Sequence, residues 1–208
     1  MRRAVTLIEL IFTMLIVALV FTVVPKIVFV TNKSFETTVK EEALYNALAL
    51  MGLLTHLPWD EKNVNGDAIL TTEAGAAAFT CDPDAGYRRG GFYGGRNCFA
   101  EELSASPVGR EGDEYNDIDD YDGWTVEAGT SGGAKYLMRV GVRYLGDPPS
   151  GSDIDLSALS PSQRSTDIKE INVTVTYAPS RAKSPFRATL YYHAANIGAM
   201  HLYKRPWR

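Results

Sequence analysis

Residues 5–24, VTLIELIFTMLIVALVFTVV, form an apolar run that contains a single charged side chain, that of Glu9. About 20 residues of α-helix, rising about 1.5 Å each, span the ~30 Å hydrocarbon core of a bilayer. Arg2 and Arg3 precede the run, and basic flanks stay on the cytoplasmic side of a membrane. The sequence therefore predicts one membrane-spanning helix, with the rest of the chain on the opposite side.

A cleaved secretory signal peptide is the first alternative explanation of this run. Such a signal has an apolar stretch of roughly 7 to 15 residues followed by a small-residue cleavage site. Here the stretch is longer, and Pro25 and Lys26 follow it. A plain membrane anchor fits the length but leaves Glu9 unexplained, because an ionisable group inside a span costs a few kcal/mol. We interpret Glu9 as a functional residue whose partner is positive, such as the α-amino group of a neighbouring copy.

The leader at residues 1–4 (MRRA) and the following residues 5–10 (VTLIEL) resemble the cleavage and assembly motif of type IV prepilins and type II secretion pseudopilins. The resemblance implies that prepilin peptidase cuts between Ala4 and Val5, that the new amino group of Val5 is methylated, and that Glu9 pairs with the amino terminus of an adjacent subunit. Two positions depart from the family's commonest pattern, since Ala4 replaces glycine and Val5 replaces phenylalanine.

Beyond the apolar run, an amphipathic pattern extends the helix. Apolar residues recur at spacings of three, four and seven, with polar residues between them: Val28, Phe35, Val39, Ala43, Ala47, Leu50, Leu54 and Leu57. Such spacing is typical of a helix with one buried face. Pro25 resembles the helix-kinking proline of many pilins, one residue early, and a single proline bends a helix without necessarily ending it. Pro58 cannot continue the helix, so we expect its end near Leu57.

Three segments of alternating apolar and polar residues follow in the C-terminal part of the chain. A period of two is typical of antiparallel strands with one solvated face. The apolar positions are Tyr136, Met138, Val140 and Val142; Ile171, Val173, Val175 and Tyr177; and Phe186, Ala188, Leu190 and Tyr192. The last two segments, joined by residues 178–185, are predicted to form a hairpin. Because helix and sheet must each bury an apolar side, we expect an α+β fold, a long N-terminal helix packed on an antiparallel sheet as in the pilin-like α/β roll.

The predicted organisation has four parts: a leader at 1–4, a transmembrane or filament-core helix at 5–24, an amphipathic continuation at 25–57, and a globular domain at 58–208. The part of the globular domain between Trp59 and Asp122 has little periodicity and predicts loops with small strands. A chain of 208 residues suits one core of ordinary size. Its formal net charge of −4 argues against nucleic-acid binding as the main task, which needs a concentrated basic surface.

Cys81 and Cys98 are the two cysteines of the chain, and no second pair of metal-ligand residues lies near them in sequence. A zinc site is therefore not expected. If the globular domain lies outside the cytoplasm, as the topology indicates, the two would form one disulfide. Closing a loop of about 15 residues stabilises a fold by roughly 3 kcal/mol in the chain-entropy model. A pair of unlinked buried thiols is the alternative.

Residues 113–124 (DEYNDIDDYDGW) concentrate acidic side chains. Calcium takes roughly six to eight oxygen ligands, and Asp117, Asp119 and Asp122 could supply several. The spacing does not fit the EF-hand loop, although the resemblance to pseudopilins, which can carry calcium in a loop, supports the idea. A solvated acidic turn is the interpretation that we favour.

Residues 129–133 (GTSGG) formally match the G-x-S-x-G nucleophile elbow. An elbow needs a strand before it and a helix after it, whereas a strand pattern follows here, so we predict a hairpin turn and no catalytic site. His56, His193 and His201 lack the spacing of a metal site and a close acidic companion. A membrane-anchored hydrolase that uses Ser131 and His193 is the weakest alternative.

The resemblance implies a structural function, that of a minor pilin or pseudopilin in a type IV pilus or a type II secretion pseudopilus, with no enzyme activity and no cofactor other than calcium. Its implied partners are prepilin peptidase, other pilins or pseudopilins with their assembly platform, and inner-membrane lipid before assembly. The globular domain would lie in the periplasm. The main alternative gives that domain a ligand, as in an adhesin or a DNA-binding minor pilin. A basic stripe of Arg88, Arg89, Lys204 and Arg205 would favour the DNA version.

Overall fold

A computed structural model describes residues 6–64, 69–74, 81–82, 87–88, 103–129, 133, 135–147, 155–178 and 185–197 of the chain. These residues belong to two compact units, Met1–Ala43 and Leu44–Arg208. One helix, α1 (Leu7–Leu54), contributes residues to both units. The leader and Val5, which form the predicted processing site, lie outside the described residues.

In the N-terminal unit, α1 runs without interruption past Pro25. The Leu10 amide donates to the Thr6 carbonyl over 3.2 Å and closes the first turn. The hydroxyls of Thr13 and Thr22 donate to helix carbonyls three and four residues earlier, so these polar groups are satisfied inside the helix. The prediction of one continuous helix across Pro25 is confirmed.

In the C-terminal unit, the last turns of α1 pack on a β-sheet. Ala47, Met51 and Leu54 are buried at helical spacing. On the same segment, the Asn46 side-chain amide donates to the hydroxyl of Tyr136 on the sheet. The helix face that the apolar pattern predicted for this segment is thus the face that reaches the core.

The helix ends at Leu54, three residues before the predicted end at Leu57. The Thr55 amide still bonds to the Met51 carbonyl, four residues earlier, over 3.0 Å. The two amides after it bond to carbonyls three residues earlier, His56 to Leu53 over 3.1 Å and Leu57 to Leu54 over 3.2 Å. This tightening is a common way to satisfy the last helix carbonyls. Pro58 disfavours helical backbone at the residue before it, and the tight turn accommodates that restriction.

The described strands of the C-terminal unit are β1 (Cys81–Asp82), β2 (Tyr87–Arg88), β3 (Thr125–Gly129), β4 (Lys135–Leu145), β5 (Pro161–Ser162), β6 (Ile168–Tyr177) and β7 (Phe186–Ala195). The larger sheet is antiparallel and has the strand order β3-β4-β6-β7, with β5 paired to β4. Val140 on β4 pairs with Val173 on β6, which pairs with Leu190 on β7. The α+β fold and the three predicted strands are confirmed, and each strand is longer than its alternating pattern.

The alternating residues of β4 and β6 form the core as expected, whereas on β7 Phe186, Ala188 and Leu190 are only half-buried and Tyr192 is 38% exposed. On β4, Tyr136, Met138, Val140 and Val142 are buried, and on β6 the buried set is Ile171, Val173, Val175 and Tyr177. Tyr177 on β6 pairs with Phe186 on β7, which confirms that the last two strands are antiparallel neighbours. Gly129 on β3 likewise pairs with Lys135 on β4, as expected for a hairpin over the GTSGG segment.

The middle of the unit contains only short regular elements in its described part. They are the pair β1–β2, a 3-10 helix at Glu61–Asn63, a second at Asp119–Tyr121, and a single bridge between Thr71 and Ser104. This agrees with the prediction of loops with small strands. The backbone of Cys81 belongs to β1, whereas Cys98 lies outside the described residues, so the disulfide stays a prediction.

Candidate functional site

The described part of the N-terminal helix exposes a large apolar surface. Leu7 is 78% exposed, Phe21 76% and Phe29 68%, and no residue of the most apolar 18-residue window is buried. This helix is long and apolar enough to cross a membrane. Contiguous apolar patches beyond a few hundred Å² are rare on soluble monomers and mark membrane or protein contacts. The exposed surface extends past Pro25 as far as Val30.

Glu9 lies in the first turn of α1 and is exposed. A carboxylate is favoured at a helix N-terminus by about 0.3–1 kcal/mol, because the helix dipole is positive there. In lipid that benefit is smaller than the cost of a few kcal/mol for an unpaired charge. Within the described residues, no salt bridge involves Glu9.

A second group of charged residues is buried in the C-terminal unit around Lys169, near the start of β6. The Lys169 side chain is 0% exposed, and its Nζ donates to the Trp59 carbonyl over 2.6 Å. Nζ lies 2.5 Å from Asp119 Oδ2 and 3.4 Å from Asp60 Oδ2. The three contacts use the three hydrogens of an ammonium group. Lys169, Asp60 and Asp119 are together called the buried Lys–Asp cluster below.

Local structure holds both carboxylates of this cluster in place. Asp60 caps the 3-10 helix that follows it, because its Oδ1 accepts from the Lys62 amide over 3.1 Å, and its Oδ2 accepts from the Ser106 amide over 2.8 Å. Asp119 is the first residue of the other 3-10 helix. Its second oxygen, Oδ1, is buried and has no hydrogen-bond partner among the described residues.

Two aromatic rings cover the Lys169 amine. Nζ lies 3.8 Å from the Trp59 ring centroid and 5.1 Å from that of Tyr144. The Trp59 indole donates to the Ala194 carbonyl over 3.2 Å, and the Tyr144 hydroxyl donates to the Ser106 carbonyl over 2.6 Å. Both rings are thereby fixed, and the amine has an apolar cover.

Burial dominates the protonation of this region. It raises the pKa of Asp119 from 3.8 to about 8, although the charge of Lys169 and its hydrogen bond act in the opposite direction. Burial also raises the pKa of the Tyr144 hydroxyl, with the nearby carboxylates adding to the effect. The pKa of Asp119 is therefore determined by two opposing effects, of which burial is the larger.

The proposed calcium residues are not brought to one point. Asp119 contacts Lys169, and Asp122 Oδ1 accepts from the Val142 amide over 2.9 Å. Asp117 instead approaches Glu61 and Asp120, each of which offers one carboxylate oxygen within 4.8 Å of the others.

Three such oxygens are about half of what calcium needs. Asp120 also accepts from the amides of Asn116 and Asp117, over 2.9 and 3.3 Å. The acids of this segment therefore organise the loop through backbone hydrogen bonds, and calcium binding stays a prediction. The expectation of a solvated acidic turn is wrong for Asp117, Asp119 and Asp120, which are buried.

The residues of the alternative functions are only partly described. The GTSGG segment joins two strands, so it lacks the helix that a nucleophile elbow requires. His193 lies 3.7 Å from a carboxylate oxygen of Glu170, and Ser131 lies outside the described residues. The side chains of the proposed basic stripe also lie outside them, so neither alternative gains support.

Comparisons with known proteins give no relative: no family model, no curated protein and no solved structure matches the chain. Function is therefore inferred from the residues themselves, that is, from the exposed apolar part of the helix, from Glu9 within it and from residues 1–4 that precede it.

Proposed function

We propose that this chain is a structural subunit, a minor pilin or pseudopilin, of a type IV pilus or a type II secretion pseudopilus. One observation carries the proposal: the apolar N-terminal part of α1, which has no buried residue in its most apolar stretch, holds a single acid, Glu9, in the first turn, directly after a leader that resembles those of prepilins. A plain membrane anchor requires the apolar helix but not the acid.

The exposed helix needs an apolar environment at every stage. Moving one large aliphatic or aromatic side chain from water to an apolar surrounding contributes about 1.5–3 kcal/mol. Before assembly, inner-membrane lipid provides that surrounding, and in the filament the same helices of neighbouring subunits replace the lipid. Because the exchange is between two apolar surroundings, an assembly platform can move the subunit without exposing this surface to water.

Glu9 gives the assembly direction and register. In an apolar filament core an unpaired carboxylate is costly, and the free α-amino group created by cleavage before Val5 is a suitable positive partner. Pairing with the amino terminus of a neighbour therefore favours one axial offset between subunits over others. The globular unit would remain in the periplasm, and prepilin peptidase and other pilins would be its partners.

The deciding experiment determines the amino terminus of the protein recovered from its native membranes, by intact mass and peptide sequencing. We expect a chain that begins with N-methylated Val5. A chain that begins at Met1, or is cut beyond Val24, would contradict the proposal. The matched pair Ala4→Gly and Ala4→Trp tests the cleavage position, because the small residue should be processed normally and the bulky one should block processing.

A further inference from the structure

The amine of Lys169 and the carboxyl of Asp119 are in contact in a site that excludes water. Their side chains are 0% and 2% exposed, and Nζ lies 2.5 Å from Oδ2. The two residues are 50 positions apart in sequence, so only the folded sheet and the 3-10 turn bring them together. Groups held this way react as if at effective concentrations of about 10⁵–10⁸ M.

As an ion pair, this contact leaves polar groups poorly satisfied. Asp119 Oδ1 is buried without a hydrogen-bond partner among the described residues. A buried charge pair is frequently no more stable than a neutral replacement, and an unpaired buried oxygen is more costly when it carries charge. An amide between the two side chains would remove both charges and leave a neutral carbonyl oxygen in that position.

A third group is placed to move protons between the two. Asp60 Oδ2 lies 3.4 Å from Nζ, and backbone amides hold both Asp60 oxygens. A carboxyl that contacts the same amine as a neighbouring acid is the type of group that serves as a general acid and base. The Trp59 and Tyr144 rings over the amine keep out the water that would favour hydrolysis.

We propose that Lys169 and Asp119 condense in the folded protein into an intramolecular amide bond, an isopeptide bond, with Asp60 as the residue that transfers the proton. The neutral amine attacks Cγ of the Asp119 carboxylic acid, and the Nζ–Cγ bond forms. Asp60 takes the proton from nitrogen and delivers it to the departing hydroxyl. The Cγ–O bond then breaks, one water leaves, and Asp60 returns to its initial state. The step needs no oxidant, reductant or further reactant.

The bond would join the start of β6 to the acidic segment before β3. The link would hold the acidic segment on the sheet when the chain is stretched. The proposal does not depend on the filament assignment, because it rests on the buried Lys–Asp cluster and not on the N-terminal helix. If the filament assignment is wrong, the proposed isopeptide bond is unaffected, and the reverse also holds.

The test is the intact mass of the full chain, purified in detergent and reduced to open any disulfide. We expect the measured mass to be lower by one water than the mass calculated from the amino-acid sequence of the purified chain, in essentially all molecules. Digestion should give a branched peptide that links Lys169 to Asp119, identified by tandem mass spectrometry. A full mass without the branched peptide would overturn the proposal and leave the cluster as an ion pair.

Three variants separate the roles of the residues. Lys169→Met removes the nucleophile and should restore the full mass. Asp119→Asn should lose one ammonia in place of one water, which no ion pair can imitate. Asp60→Asn should keep the full mass while circular dichroism shows a folded chain. Loss of water in folded Asp60→Asn would overturn the role of Asp60.

Discussion

Glu9 lies in the first turn of the apolar helix, and its proposed role in assembly can be tested by substitution. As a carboxylate at a helix N-terminus it gains about 0.3–1 kcal/mol from the helix dipole, and as a partner of a neighbour's amine it would be worth a few kcal/mol in an apolar core. Glu9→Val should leave membrane insertion and cleavage intact, because the run becomes more apolar. Incorporation into filaments should fall at least about tenfold, the factor that corresponds to 1.4 kcal/mol.

The measurement for Glu9 compares sheared filaments with membranes by immunoblot, together with the mass of the amino terminus. Glu9→Gln is the matched control, because it keeps size and polarity but removes the charge, and it should behave like Glu9→Val. Normal incorporation of both variants would limit Glu9 to the small dipole effect.

Asp117 should make the stability of the C-terminal unit depend on pH. Burial, the largest cause, raises its pKa from 3.8 to about 6. Between about pH 4 and 6 the folded chain therefore keeps a proton that the unfolded chain has lost. The stability that Asp117 contributes is therefore fully present below about pH 4 and is lost as the pH rises through 6, at a rate of at most about 1.4 kcal/mol per pH unit.

Asp117→Asn isolates that contribution. The asparagine oxygen can still accept the Asp120 amide, which bonds to Asp117 Oδ1 over 3.0 Å, but it cannot ionise. Denaturant unfolding of both proteins from pH 4 to 7, with a chelator present, should show that the advantage of the variant grows with pH. Parallel pH profiles for the two proteins would show that Asp117 ionises in the folded state as it does in the unfolded chain.

At the scale of elements, the C-terminal end of α1 has one face buried in the core and another face exposed to solvent. Leu54 is 0% exposed, whereas Leu48 is 56% exposed on the same helix. Leu54→Ala should lower the free energy of unfolding by about 2–5 kcal/mol, because it leaves a cavity in the core. Leu48→Ala, the matched control, should change it by less than about 0.5 kcal/mol. Equal losses in urea unfolding would mean that the buried face is assigned wrongly.

The regular elements were predictable wherever the local sequence pattern shows which face of the element is buried. The period of two in β4 and β6 identified Val140 and Val173 as core residues, because a strand with one buried face must alternate. The same rule missed Lys169, which lies just before the predicted part of β6. A lysine normally indicates a solvent face, and only carboxylates from distant parts of the chain make its burial possible.

The acidic segment was misjudged for the same reason. A run of aspartates in sequence indicates a solvated surface, since isolated charges are costly to bury. Asp119 is buried because Lys169, 50 residues away, faces it, and Asp120 is buried because backbone amides of its own loop donate to it. Such long-range pairing leaves no periodic signal in one sequence. Ala4, Val5 and Glu9, the residues proposed for processing and assembly, did not need such long-range information, because they lie in one contiguous stretch of sequence.

At the scale of the whole molecule, membrane association should depend on the N-terminal segment alone. Exposed apolar side chains are concentrated in the helix up to Val30, with more widely spaced ones such as Phe35 and Leu48 after it, and the buried helical residues of the C-terminal unit begin at Ala47. A chain that begins at Thr31 should therefore fractionate with soluble protein after cell lysis and should unfold in one cooperative transition. The full chain should require detergent for extraction.

Charge substitution provides the matched comparison for this truncation. Leu15→Lys in the full chain places a second charge in the middle of the apolar run without shortening it, and such a charge at the centre of a span costs about 2.5–3.5 kcal/mol on insertion scales. The variant should insert less efficiently, while the C-terminal unit keeps its unfolding transition. If the chain that begins at Thr31 stays with the membrane, another surface of the C-terminal unit binds lipid. The N-terminal helix would then serve the proposed assembly but would not be needed for attachment to the membrane. Release of the truncated chain by salt would indicate attachment through charges, and release only by detergent would indicate attachment through apolar side chains.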